Sequence, residues 1–356
     1  MKRMTNSYSN TITYLKAIGI ILMVVGHCTY EVPYVRQIIY MFHMPLFFFV
    51  AGYCFKEKYL RKPLEFVKKR IEKLYYPYIK WGLIFLFFHN LFFVLNIYNT
   101  NVNFMGCYSH PYTKEEYIIK AFNVLLLRDP EQVIGGYWFL NALFWGSIIS
   151  LFLLKILPLP EISAALSILI CLLMDINGLY FPVLYITPQT FMASFLFIVG
   201  YICSYRHVPS FRRWHISFAV FLTIVGSFYW RLNVDEPFYS FYNIIPYLLT
   251  ALLMVWALFS IMEQIEFGRL NRMMRYIGNN TLTILTFHFL SFKIVSLIIV
   301  LLYMQPLERI ANFPVIIEYA SSGWWVFYSV VGVFFPLICK RMLSFLRRQI
   351  SYKITT

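Results

Sequence analysis

Three polar side chains stand inside long apolar runs near the start of the chain. Lys16 and His27 lie in the first run and His43 in the second, within KAIGIILMVVGHCTYEVPYVRQIIYMFHMPLFFFVAGY, residues 16–53. A histidine in hydrocarbon is costly, and one that persists there points to chemistry or to a pathway. An unperturbed imidazole titrates near pH 6.5, which suits a proton acceptor at neutral pH; a lysine is a point cation that can hold an anion. Eleven helical steps of about 100° bring His27 back to nearly the face of Lys16, about 16 Å further along the axis. The two cannot touch, but they can line one groove. Gly19 and Gly26, seven apart, share a face that admits a close helix or ligand. Taken singly, Lys16 also reads as a side chain snorkelling to headgroups and His27 as an interfacial imidazole satisfied by water. Their shared face is the stronger signal.

In the second run, Pro45 lacks an N–H and frees the carbonyl of Met41, which predicts a kink where His43 sits and polar backbone at membrane depth. Both imidazoles then lie in the outer half and can face one cavity. Phe47, Phe48 and Phe49 read as packing or lipid-facing surface. Later, His288 in Thr286-Phe287-His288-Phe289 stands about 12 Å deep. It reads either as a packed histidine or as a residue lining a substrate tunnel. Lys293 in the same run has no explanation in the sequence.

These residues need helices to hold them. The chain has 356 residues, 60% hydrophobic and 13% charged, with mean hydropathy +0.64. That is too little polar surface for a soluble globule, and the long unbroken runs exclude a barrel. The expected fold is an all-α, polytopic integral membrane protein of about ten transmembrane helices. They lie near 12–29, 35–55, 75–97, 135–157, 162–177, 188–204, 214–231, 243–262, 280–303 and 324–343. With both termini cytoplasmic, about 22 of the 31 Lys and Arg fall on the inner side. The positive-inside rule thus absorbs the net charge of +15, and no basic module is left for nucleic acid. One membrane domain is expected over 1–356, with its core at about 12–343 and no additional soluble domain. The first run reads as a retained span.

Other chemistry is thin. No Cys or His spacing suggests a metal site. Five of the six cysteines lie in or at spans and only Cys107 in an outer loop, so no disulfide framework is implied. No carboxylate falls near the midplane, which counts against a proton- or sodium-coupled transporter. The outer loop 98–134, with Tyr98, Tyr108, Tyr112 and Tyr117, and the Tyr137-Trp138-Phe139 that follows it, read as an interfacial aromatic belt. Residues 56–74 form a basic cytoplasmic connector carrying Lys56, Lys58, Arg61, Lys62, Lys68, Lys69, Arg70 and Lys73.

The Lys-x10-His spacing and the segment FHMPLFFFVAGY resemble the acyltransferase family 3 membrane proteins, particularly their fucose 4-O-acetylase-like branch. The chain departs from the common pattern at Thr13, Ala17 and Ala51, and keeps the basic and histidine pair. Arg70 and Lys73 resemble the family's Arg-x-x-Arg element. The resemblance implies an O-acyltransferase of the cell membrane, a bacterial cytoplasmic membrane in the first instance. It would move an acetyl group from cytoplasmic acetyl-CoA to a sugar hydroxyl of a surface glycan or its lipid-linked precursor. His27 is then the general base and His43 orients it or the acceptor; Lys16, Arg70 and Lys73 hold the CoA portion; His288 lines the substrate tunnel. The partners implied are a glycan acceptor and membrane lipids, with no metal. A flippase or uncoupled transporter of a lipid-linked sugar is the alternative reading.

Overall fold

The computed structural model describes residues 2–32, 34–101, 110–229, 241–265 and 267–355; Cys107 and Tyr108 lie outside them. The helices follow the apolar runs. α1 (Lys2–Cys28) carries Lys16 and His27 on one uninterrupted helix. The second run is divided into α2 (Val35–Tyr40) and α3 (His43–Tyr53), with Phe42 between them at φ −145°. The kink expected at His43 is therefore a full break just before it. Pro45 falls in the first turn of α3, where helix N–H groups have no intrahelical partner to lose.

α4 (Lys58–Arg61) and α5 (Pro63–Arg70) lead through a π-helical turn, Ile71–Tyr75, into α6 (Tyr76–Phe87). α7 (His89–Val94) completes the third run, which is broken at Phe88 and not continuous over 75–97. α8 (Lys114–Leu125) opens on a capping box of Thr113 and Glu116. A 3-10 turn, Gln132–Tyr137, enters α9 (Trp138–Ile156). α10 (Pro160–Ile176) and α11 (Pro188–Tyr205) each start on a proline, followed by α12 (Arg213–Tyr229) and α13 (Phe241–Gln264). α14 (Asn271–Asn279), α15 (Thr281–Leu302), the single turn α16 (Ile317–Tyr319) and α17 (Trp325–Thr355) complete the order.

Among the described residues there is no strand beyond one isolated bridge, Phe181 with Ile186. Six stretches are long and apolar enough to cross a membrane: Asn10–Cys28, Val35–Tyr53, Gln132–Ile156, Ile244–Gln264, Thr281–Leu302 and Ile317–Arg347. The other four expected spans fall on helices that are shorter, interrupted or less apolar, namely α6 with α7, α10, α11 and α12. The protein is an all-α membrane protein. Large apolar side chains such as Phe152, Phe221, Leu301 and Ile338 stand exposed on the outside, as a surface against lipid tails requires.

Close backbone contact fixes the helices around the centre. A Cβ on Gly52 of α3 would fall 1.7 Å from the carbonyl oxygen of Phe197, and one on Gly200 of α11 would fall 2.1 Å from that of Phe49. Each helix thus needs glycine where the other crosses it. The Ser194 hydroxyl of α11 meets those of Ser150 on α9 at 2.9 Å and Ser167 on α10 at 3.1 Å, polar glue inside an apolar bundle. Phe48 and Phe49 are buried in this packing and do not face lipid.

The expected aromatic belt is largely internal. Tyr98 and Tyr137 are buried, and Tyr112 stacks on the His89 ring at 3.4 Å. The reason is a buried pair that sequence reading missed: His89 Nδ1 lies 2.7 Å from Glu131 Oε2, to which the Tyr98 hydroxyl also donates at 3.1 Å. Tyrosines gather here to partner and cover that carboxylate.

Candidate functional site

The helices α1, α3, α9 and α15 surround a cavity of about 540 Å³, bordered at one end by α5 and the π-helical turn after it. That volume is within the usual range for small-molecule sites. Its wall changes character along its length. At one end stand four cations: Lys16 from α1, Lys69 and Arg70 from α5, and Lys73 from the π turn. The middle is apolar, with Ile20, Phe47, Leu140, Leu143 and Leu285 among its lining. At the far end are His27, Tyr40 and His43, with Met23 and Met44 beside them. Five of the six residues singled out in the sequence therefore line one cavity, at the two ends expected of them.

The cationic end is built from crowded aromatics. The Arg70 guanidinium lies over the rings of Phe66 at 4.6 Å and Phe197 at 5.5 Å. Burial among them pulls its pKa down to about 10, which leaves it charged at neutral pH. Its buried Nε has no hydrogen-bond partner among the described residues, and ring faces hold the charge. Lys69 bonds the Tyr59 hydroxyl at 2.8 Å and pairs with Glu65 at 3.2 Å, which fixes it at the rim. Cys54, also on the wall, is an exposed free thiol.

The far end is an ordered cluster of rings. His43 Nδ1 lies 2.9 Å from the carbonyl of Ile39, an atom that can only accept, so Nδ1 carries the proton and Nε2 is the lone-pair nitrogen of the neutral ring. His288 is tied in the same way, its Nδ1 donating to the carbonyl of Leu285 at 2.9 Å. His27 is held by its neighbours: the Tyr40 hydroxyl is 3.3 Å from its Nδ1, the His288 ring stacks 5.4 Å away, and Phe289 packs at 4.9 Å. His288 stands behind this wall, buried beside Gly136, and is not itself part of the cavity lining. Its ring packs against that of His27 from behind the wall.

Tyr40 is the neighbour of His27 that sequence reading missed. Gly26 makes room for it, since a Cβ there would come 2.7 Å from the Tyr40 ring. Arg36 steadies the same ring, with its guanidinium 3.8 Å from the Tyr30 centroid and 4.6 Å from that of Tyr40. A glycine directly before a candidate base, on the face of the helix that meets the next one, was the available signal. No group of His, Cys, Asp and Glu that could hold a metal ion is found among the described residues.

Comparison with known proteins adds two matches. A family model described as an acyltransferase domain matches residues 9–341, nearly the whole chain. Nodulation protein NolL of Mesorhizobium japonicum is 28% identical over 166 residues, 43% of this chain and 37% of that protein. The match thus covers little more than a third of that relative's length. No solved structure matches.

Proposed function

The chain belongs to the acyltransferase family whose model spans residues 9–341, and on that premise we propose that it is a membrane O-acetyltransferase. It takes acetyl from cytoplasmic acetyl-CoA and gives it to a hydroxyl of a cell-surface glycan sugar or its lipid-linked precursor. Its place is a bacterial cytoplasmic membrane, with the chain acting as one domain. The observation that carries this reading is the polarity of the cavity: cations at one end, an apolar middle, imidazoles at the other. That order suits a donor with phosphates at one end, a slender arm, and a thioester at the tip.

Lys16, Arg70 and Lys73 hold the phosphates of the donor as charge-assisted partners. Tyr40 accepts from His27 Nδ1–H and leaves Nε2 free as the base. Nε2 takes the proton of the acceptor hydroxyl as its oxygen bonds to the thioester carbonyl carbon. The C–S bond then breaks, and the imidazolium returns that proton to the departing sulfur. The products are the O-acetyl ester and CoA thiol, and His27 is regenerated. His43 offers its Nε2 lone pair to the acceptor or to the ordered shell around His27.

Labelled acetyl-CoA supplied to membranes bearing wild type, His27→Ala or Lys16→Ala, with lipid-linked and free glycans as acceptors, tests this. Wild type transfers label, and His27→Ala at equal expression loses about 10²–10⁴-fold, the range for a general base. Activity that survives His27→Ala removes the mechanism. No transfer from any acyl-CoA to any acceptor returns the chain to the reading as a carrier of lipid-linked sugars.

A further inference from the structure

Behind the imidazole end of the cavity stands Lys293. This lysine lies within α15 and is 5% exposed. Its ammonium donates to the carbonyls of Asn312 at 2.7 Å and Ala311 at 3.1 Å, in the connector after α15. A buried ammonium in an apolar helix is costly. Here it meets carbonyls that need donors, because Ile310, Ala311 and Asn312 are themselves buried. The bonds set where the next residue goes. Phe313 packs on Phe289 at 4.7 Å, and Phe289 packs on His288 at 3.9 Å and His27 at 4.9 Å.

Beneath this stack His288 Nε2 is buried and has no hydrogen-bond partner among the described residues. Its Nδ1 donates to the backbone, so Nε2 is a lone pair that lacks a donor. An alcohol hydroxyl is such a donor. We propose that the acceptor alcohol reaches His27 from this end by displacing Phe313, and that Lys293 holds Phe313 in place until it does. The proposal rests on the acyltransferase reading above.

The wall has a chemical purpose. A thioester beside a general base reacts with any oxygen nucleophile that arrives; with water it gives acetate and CoA thiol, with the alcohol it gives the ester and CoA thiol. Phe313 keeps water out while the acceptor is absent. Lys293 touches neither reactant and acts through the connector and two rings, so it is a positioning residue.

Two readouts test this on the full chain in membranes. The first is the ratio of acetyl-CoA hydrolysis to acetyl transfer in Lys293→Met and in Phe313→Ala, the second variant serving should the first fold poorly. The ratio rises about tenfold over wild type in both, equivalent to about 1.4 kcal/mol. The second readout needs no activity. His27→Cys is combined with either variant, the native cysteines being replaced, and a membrane-impermeant thiol reagent is applied from the face opposite the cations. Cys at position 27 is labelled in the combinations and protected when Lys293 and Phe313 are both present. Hydrolysis and transfer that fall together, with the ratio unchanged, make Lys293 merely structural and overturn the proposal; so does equal labelling with the wall intact. Wild type that transfers nothing sinks the acyltransferase reading instead, and the labelling then decides the wall alone.

Discussion

At the scale of single residues, the proposed chemistry rests on His27, and its quality depends on what holds the ring. Among the described residues, Tyr40 supplies the hydroxyl bonded to it. As the imidazole takes a proton in the reaction, that bond becomes charge-assisted, and such bonds contribute about 1.5–3 kcal/mol. Tyr40→Phe therefore lowers turnover about 10- to 100-fold while the melting temperature in detergent stays near that of wild type; unchanged turnover would show that the hydroxyl does not orient the base. That Lys16, His27, His43, Arg70 and Lys73 share one cavity was foreshadowed because charged or imidazole side chains in or beside apolar runs are rare enough to notice. Tyr40 was not, because a tyrosine near a membrane boundary is ordinary and its partner stands thirteen residues earlier on another helix. Lys293 was noticed and left unexplained. Its partners are backbone carbonyls of residues 311 and 312, which no side-chain pattern reveals.

At the scale of elements, the walls of the cavity are placed by backbone contact. α3 carries His43 and much of the apolar middle, and its position is set by the crossing of Gly52 and Gly200 against α11. Gly200→Val puts a branched side chain where the carbonyl of Phe49 already stands. Overpacking of this kind costs about 1–3 kcal/mol or more, and here the obstacle is backbone. The expected result is a sharp loss of folded protein, read by size exclusion and thermal melting, whereas wild-type-like melting would mean that α3 and α11 can separate. Helix existence was legible from the length of the apolar runs. Helix continuity was legible only in part: Pro45 announced an interruption near His43, whereas the break at Phe88 comes from a local backbone choice inside a run of uniform hydrophobicity. The buried His89–Glu131 pair escaped notice because its members lie far apart in the chain.

At the scale of the whole molecule, the cavity is a passage with two unlike ends, and Cys54 reports on one of them. Its thiol lies on the wall near Lys16 and Arg70 and is free. A thiol reagent should label it, and saturating CoA should slow that labelling about tenfold, with Cys54→Ser as the blank; protection of that size corresponds to about 90% occupancy. Labelling indifferent to CoA would place the donor elsewhere. The basic connector at 56–74 was legible as a cluster of charge, and its Lys69, Arg70 and Lys73 line the cavity. The cavity itself was not, because a void is made jointly by helices that are remote in sequence. One feature of it reaches further than packing. Lys16 and His27 stand on the same uninterrupted helix, so the interval between the cationic end and the imidazole end is set by a count of residues. α1 is a ruler laid against the donor. A donor too short for it can be gripped at one end only, and loses turnover more than binding. A single residue inserted between the two marks lengthens the rule by about 1.5 Å and turns it by about 100°. The imidazole then leaves the wall although every original side chain is still present.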